Sequence, residues 1–278
     1  MTSAMHVAVE EVTFTYPSGL TALDSVSFRA APGELVAIIG ENGAGKTTLV
    51  RHLNGLLKPT QGSVKVGDWD THEHTVAALA RRVSYVFQNP DDQLFERTVR
   101  AEIAFGPRNL GRSAQEVERA VDEALARVGL ADFADRHPYD LHMSQRKLVA
   151  LAASLAVDTP VVVLDEPTTG QDALGIALIG RVVAGLKDEG KTVIAITHDI
   201  DFCAENFPRV AVMAKGRILA DGPAREVLAQ TDTLARAEVE PPQMVRLAAR
   251  LGLDGTALDA AELVERLAGR SGPANPAG

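Results

Sequence analysis

Cysteine is almost missing from this 278-residue chain. Cys203 stands alone, so an intramolecular disulfide and a cysteine-rich metal site are excluded and a reducing compartment is expected. Aromatic residues are scarce, at 4% of the sequence, too few for the stacking platforms that hold single-stranded nucleic acid. Positive charge is in the minority: 28 basic residues face 37 acidic ones, for a formal net charge of −9. A chain that binds nucleic acid through its phosphates needs the opposite balance, so no nucleic-acid partner is expected. Long apolar runs are missing too. The longest, near 150–157 and 161–164, fall far short of the ~20 residues of a membrane span. Met1–His6 has neither the basic nor the apolar region of a signal peptide. Any membrane role is therefore expected from the cytoplasmic face, through a partner.

What is present is ordinary for a globular protein: 46% hydrophobic and 23% charged residues. The length suits one large α/β domain with an appendage, or two domains, and a core large enough to need no staple. Short β-rich segments are expected at 6–14, 25–30, 35–39 and 83–87, with a turn at Pro17, Ser18 and Gly19 and a helix over 45–57. From 98 to 155 the pattern turns helical, with Ala120, Ala124, Leu125 and Val128 on the 3.6-residue period. Strand, helix and strand follow at 161–164, 173–186 and 192–196. This alternation predicts a mainly parallel α/β sheet with a helical insertion. Beyond Gly222 and Pro223, two stripes predict a small helical appendage: Met244, Leu247, Ala248 and Leu251, then Ala260, Leu263, Val264 and Leu267. A Gly/Pro/Ala tail from Gly269 is expected to be disordered.

The chemistry concentrates in a few places. Gly40-Glu41-Asn42-Gly43-Ala44-Gly45-Lys46-Thr47, followed by Thr48, fits G-x-x-x-x-G-K-[ST] between a strand and a helix. Glycines let the backbone wrap phosphates with N–H groups inward, and the helix N-terminus adds a favourable dipole. Lys46 supplies a cation for the outer phosphates and Thr47 a hydroxyl for Mg²⁺. ATP and Mg²⁺ are the expected cofactors. Val161–Glu166 is an apolar strand ending in two acids, which places them at the sheet edge where ligands bind. Asp165 then suits the metal and Glu166 suits polarising a water. Gln88 follows the 83–87 strand, where it can sense metal and water; His198 follows the 192–196 strand, within reach of a terminal phosphate; Tyr16 can stack on adenine. Alone, these three have plainer readings as a surface glutamine, a structural histidine and a core tyrosine.

Taken in order, Tyr16, Gly40–Thr47, Gln88, the helical insertion, Val161–Glu166 and His198 resemble the nucleotide-binding subunits of ABC transporters over roughly residues 5–228. The resemblance implies a P-loop fold with a RecA-like parallel core, an N-terminal antiparallel β subdomain, a helical subdomain at about 90–158 and a C-terminal helical extension at 229–268. It makes residues 40–48 and Tyr16 the nucleotide contacts, Thr47, Gln88 and Asp165 the metal contacts, and Glu166, His198 and Gln88 the catalytic set. Asp172 matches the D-loop aspartate, although a leucine is expected where Gln171 stands. Gln88–Phe95, the stretch from Glu102 to Leu110, Pro241–Leu247 and Ala261–Glu265 are similar to the ATPases of energy-coupling factor importers of vitamins and of nickel or cobalt ions. That likeness implies a second ATPase, a transmembrane coupling subunit and a substrate-binding membrane subunit. The ATPase of another importer class is the alternative; a soluble ABC-type ATPase fits less well, for want of coiled coils or a second cassette.

One stretch departs from the family. Where L-S-G-G-Q is expected, the chain reads Leu141-His142-Met143-Ser144-Gln145. In the family this segment holds the ATP of the other subunit, so its loss favours a heterodimer over a homodimer. Met143 is expected to be costly if the backbone there demands a glycine conformation. The acids Asp91 and Asp92, with Leu94 and Phe95, are expected to take a basic-apolar helix end from the membrane partner.

Overall fold

The computed structural model describes residues 5–253 and 256–270, excluding the side chains of 269 and 270. Most of the tail expected from Gly269 therefore lies outside the described residues. In chain order the elements are β1 (Val7–Thr15), β2 (Thr21–Ala30), β3 (Leu35–Ile39), α1 (Lys46–Leu53), β4 (Gln61–Val66), β5 (Trp69–Asp70), α2 (Val76–Leu79) and β6 (Val83–Val86). Then come α3 (Val99–Asn109), α4 (Ala114–Val128), α5 (Met143–Val157), β7 (Val161–Asp165), α6 (Ala173–Asp188), β8 (Thr192–Ile196), α7 (Ile200–Asn206), β9 (Arg209–Ala214) and β10 (Arg217–Pro223). The chain ends in α8 (Ala224–Val227), α9 (Thr231–Arg236), α10 (Gln243–Arg250) and α11 (Ala260–Arg270).

Two sheets organise these elements. β2-β1-β4-β5 form an antiparallel sheet, and β10-β9-β3-β8-β7-β6 form a second sheet that is parallel except for β10. The unbroken apolar runs of β3, β7 and β8 follow from burial on both faces. Side chains alternate across a strand. Leu35, Ala37 and Ile39 enter a core shared with α3–α6, while Val36 and Ile38 enter a core shared with α1 and the antiparallel sheet. The same alternation sends Val162 and Leu164 to the first core and Val161 and Val163 to the second. The phosphate loop and the acidic strand end are thus carried by strands clamped from both sides.

The helical insertion is three helices, with α5 packed against both α3 and α4. Ser113 opens α4 with a reciprocal cap: its hydroxyl accepts from Glu116 N at 3.3 Å, and Glu116 accepts from Ser113 N at 2.8 Å. Packing continues through residue 228, since Leu234 and Ala237 join the main core. Glu41 N donates to Ala237 O at 3.1 Å, fastening this segment to the phosphate loop. The two C-terminal stripes are only half used. Ala248 and Leu263 pack in a small core with Leu253 and Ala257, while Leu247, Leu251, Val264 and Leu267 face outward.

Candidate functional site

β3 delivers the loop of 40–45, and two glycines are required by its path. Gly40 has φ +150°, and a Cβ there would lie 2.0 Å from Met213 O in β9. Gly45, the residue capping α1, has φ +101°, and its Cβ would lie 2.5 Å from Ala22 O in β2. The loop is therefore seated against both sheets and cannot take a side chain at either point. Lys46 is buried; its Nζ donates to the carbonyls of Gly40 at 2.7 Å and Glu41 at 2.9 Å. Burial lowers its pKa, and the charges of Glu166, Asp165 and Glu41 oppose that. Tyr16 is half-buried, its ring edge-on to Phe14 at 4.9 Å and its hydroxyl 3.0 Å from Thr48 Oγ1. The aromatic expected near adenine is tied directly to the helix that follows the phosphate loop.

β7 brings Asp165 and Glu166 to the same sheet edge, both buried. Asp165 Oδ2 accepts from Tyr85 Oη at 2.6 Å. Burial pushes its carboxyl up, against the Tyr85 hydrogen bond, which favours the ionised form; Glu166 adds to the rise, and Arg51 and the Thr47 hydroxyl act against it. The Tyr85 hydroxyl is itself pushed up, by burial and by the Asp165 charge. Asp165 Oδ1 is buried without a hydrogen-bond partner among the described residues. A carboxylate oxygen left that way costs free energy, and a cation ligated by it would remove the cost. Hard oxygen donors from Asp165 and Thr47 suit Mg²⁺, which is commonly held by one or two protein groups plus phosphates. Among the described residues no group of three His, Cys, Asp or Glu is placed to hold a metal ion.

Glu166 has φ +51°, a left-handed conformation that costs a non-glycine residue about 1–3 kcal/mol. Three elements hold it there. Its N–H donates to Ile196 O in β8 at 2.8 Å, its carbonyl accepts from Lys147 Nζ of α5 at 3.2 Å, and its Oε2 lies 2.7 Å from His198 Nδ1 and accepts from His198 N at 3.3 Å. Strain concentrated on a carboxylate beside a phosphate loop marks a pre-organised group. Lys147 is buried as well, its pKa lowered by burial against the pull of Glu166 and Asp165. Two buried lysines, 46 and 147, thus balance two buried acids.

The structure joins Lys46, Asp165, Glu166 and His198 at one edge. Gln88 lies exposed beyond β6, and no hydrogen bond ties it to Asp165 or Glu166 among the described residues. Gln93 is the glutamine anchored nearby, accepting from Phe87 N at 3.3 Å and donating to Ala150 O at 2.9 Å. Sequence reasoning missed Tyr85 and Lys147. A tyrosine inside a buried apolar strand must find a partner for its hydroxyl, and that signal points to Asp165. Lys147 had no comparable signal, since a lysine near a helix start reads as solvated.

The departing segment 141–145 starts α5, with His142 as the capping residue and Gln145 Oε1 accepting from His142 N at 3.2 Å. Met143 is the first helical residue, 43% exposed and outside the left-handed region. The expected strain is not there, because an N1 position has ordinary helical dihedrals. Of the residues expected to dock a membrane partner, Asp91 is exposed but its Oδ1 accepts from Arg146 at 2.9 Å in the same chain, Asp92 is exposed, and Leu94 is buried. Phe95 is the apolar residue of that stretch that stands well out, 60% exposed.

A family model described as "ABC transporter" matches residues 23–169. The "Energy-coupling factor transporter ATP-binding protein EcfA" of Methanocaldococcus jannaschii is 40% identical over 243 residues, covering 87% of each chain. Among solved structures, cbiO1 of Clostridium perfringens, described as part of the ABC transporter complex cbiONQ, is 32% identical with a TM-score of 0.74 over 88% of this chain and 98% of that one. A dimeric ATP-binding cassette in a post-hydrolysis state, bound to ADP and Pi, is 27% identical with a TM-score of 0.72 over 79% of this chain and 99% of that one.

Proposed function

We propose a role for this chain from the family to which it belongs: it is an ATP-binding subunit of the ABC transporter family, of the energy-coupling factor kind. It hydrolyses ATP to energise an importer of a vitamin or a transition-metal ion, working through a membrane coupling subunit. The observation that carries this is the meeting of the glycine-built loop, Lys46, the unpartnered Asp165 oxygen and the strained Glu166 at one sheet edge.

The loop amides and Lys46 bind and orient the phosphates. Bound Mg²⁺ would be held by Asp165 and Thr47 and would draw charge from the phosphate oxygens; Gln88 is proposed to join them from its exposed position after β6. Glu166 takes a hydrogen bond from the attacking water and polarises it, and His198, already bonded to Glu166, contacts the terminal phosphate. Tyr16 stacks on the base.

Among the described residues no helix is long and apolar enough to cross a membrane, so the membrane subunits must be reached across the surface. A groove of about 590 Å³ between the parallel sheet and the helical insertion offers the place, lined by Leu56, Val76, Phe87, Phe95, Phe105 and Leu110. The Phe95 and Phe105 rings meet edge to face at 4.7 Å and are largely exposed. Glu102 accepts from the backbone N–H groups of Phe95 and Glu96 at 2.8 and 2.7 Å, fixing this apolar lip. Exposed aromatic clusters of this kind mark protein interfaces. On this reading the chain sits peripherally on the membrane, at its cytoplasmic face.

ABC ATPases dimerise, and we place a different ATPase opposite this chain rather than a second copy. Its phosphate loop and acids are complete, but its 142–144 segment has His142 where the serine is expected, and Met143 and Ser144 where the two glycines that would serve a partner's nucleotide are expected. Detergent extraction of the complex tests the reading. Wild-type chain should co-purify with a membrane subunit and a second ATPase, and Phe95→Asp/Phe105→Asp should release a chain that still binds ATP. A double variant that stays fully assembled would place the membrane contact elsewhere.

A further inference from the structure

Two departures from the family pattern lie far apart in sequence, and the structure bonds them to each other. Gln171 stands where a leucine is expected, and its Nε2 donates to Ser144 O at 3.0 Å. Ser144 lies in the first turn of α5, inside the departing segment. One turn on, Lys147 Nζ donates to Glu166 O. Residues 166–171, which carry the hydrolytic carboxylate, are thus tied twice to the start of the helix that this chain presents across a dimer.

Room for the Gln171 side chain is made by a third residue. Gly175 is buried in the first turn of α6 and has no positive φ. A Cβ on it would lie 2.4 Å from Gln171 Oε1 and 3.3 Å from Asp172 Oδ1. Asp172 Oδ1 accepts from Gly175 N at 2.8 Å, closing the helix start. A glycine inside a helix is unfavourable relative to alanine, and the backbone here does not demand one. The Gln171 amide occupies the space a Cβ would take, and a Cβ there would push that flexible side-chain end aside.

We propose that Gln171 is a positioning residue that couples the two ATP sites of the dimer, with Gly175 making room for it. This rests on the dimer reading above. Nucleotide bound at this chain's own loop bears on the 165–171 segment. Through Gln171 and Lys147 that segment sets where the start of α5 stands, and so how its N–H groups meet the phosphate bound by the other subunit. In the family a leucine at 171 offers no donor; here the amide supplies a fixed link beside a segment that has lost its glycines. A hydrogen bond of this kind is worth about a two- to tenfold change in a local opening equilibrium.

The test uses the assembled complex and hydrogen exchange of the 143–149 backbone, with and without ATP, in a Glu166→Gln background that holds nucleotide. In that background, ATP should slow exchange at the start of α5. Gln171→Ala should remove that response and raise the basal exchange about two- to tenfold, leaving the C-terminal half of α5 unchanged. Gly175→Ala, which expels the amide while keeping the glutamine, should do the same, and adding it to Gln171→Ala should change nothing further. In the Glu166→Gln complex, where the remaining turnover reports the site completed by this chain's α5, either substitution should lower kcat two- to tenfold with KM for ATP unaltered. An ATP response retained in Gln171→Ala, additive effects of the two substitutions, or no response to ATP without either substitution would overturn the proposal. Failure of the functional reading looks different: the wild-type chain would recruit no second ATPase and hydrolyse no ATP.

Discussion

The two halves that this chain brings to a dimer differ in how they are built. The half made of residues 40–48 and 165–166 keeps Lys46, Asp165 and Glu166 buried, is strained where a carboxylate must point, and is seated against two sheets by glycines that accept no substitute. The half at 141–145 is a helix start with an exposed methionine, ordinary dihedrals and no glycine. Sites that must hold charge in place are pre-organised at a cost in stability. A segment released from that demand relaxes toward good helix formers. On the proposed reading, the contrast means that this chain keeps its own hydrolytic apparatus while lending little to its neighbour's.

The sharpest way to break that comparison is to damage the intact half. Lys46→Ala removes a charge-assisted contact worth about 1.5–3 kcal/mol, so ATP binding by isothermal titration should weaken about ten- to a hundredfold. Unchanged binding would show that the loop does not hold phosphate as argued. Repairing the weak half should sharpen the contrast from the other side. His142→Ser/Met143→Gly/Ser144→Gly should speed turnover at the site completed by this segment by about tenfold. It should also lower the melting temperature, because two glycines enter the first turn of α5 at up to ~1 kcal/mol each.

Smaller effects probe the supports. Tyr85→Phe leaves Asp165 Oδ2 without its donor, and loss of a group that orients a metal ligand costs roughly tenfold or more in metal affinity. The Mg²⁺ concentration for half-maximal ATPase should rise by about that factor, and Mn²⁺ binding followed by electron paramagnetic resonance should weaken in parallel. The smallest effect concerns the apolar lip. Burial pushes the Glu102 carboxyl up, against the bonds from Glu96 and Phe95. The folded state then holds its proton more tightly than the unfolded chain, so this group favours folding at low pH. That contribution is lost as pH rises from the ordinary carboxylate range through the raised value. Urea denaturation across pH 4–7 should show this fall in wild type and a flatter profile in Glu102→Gln.

Much of this was legible because it is local. The apolar runs at 35–39 and 192–196 coincide with β3 and β8, since a strand buried on both faces leaves no other pattern. The phosphate loop, Asp165 and Glu166 were readable as motif and strand end. What was not legible depends on distant pairings. β2 begins at Thr21, earlier than the expected 25, because pairing with β1 extends it past the β-rich stretch. The 45–57 helix stops at Leu53, where Asn54 and Gly55 turn the chain. Asp91 looked free for a partner until Arg146, 55 residues away, was found beside it. The C-terminal stripes predicted helices correctly but not their burial: Leu247 and Leu251 share the period of Ala248 and stay exposed.

The central claim, one complete half and one degenerate half, is tested most directly by silencing each carboxylate of the assembled complex in turn. Glu166→Gln in this chain should cut ATPase activity about 10²- to 10⁴-fold while leaving ATP bound, and the equivalent change in the partner ATPase should cost far less. Equal losses from both substitutions, or full activity from a homodimer of this chain alone, would contradict it.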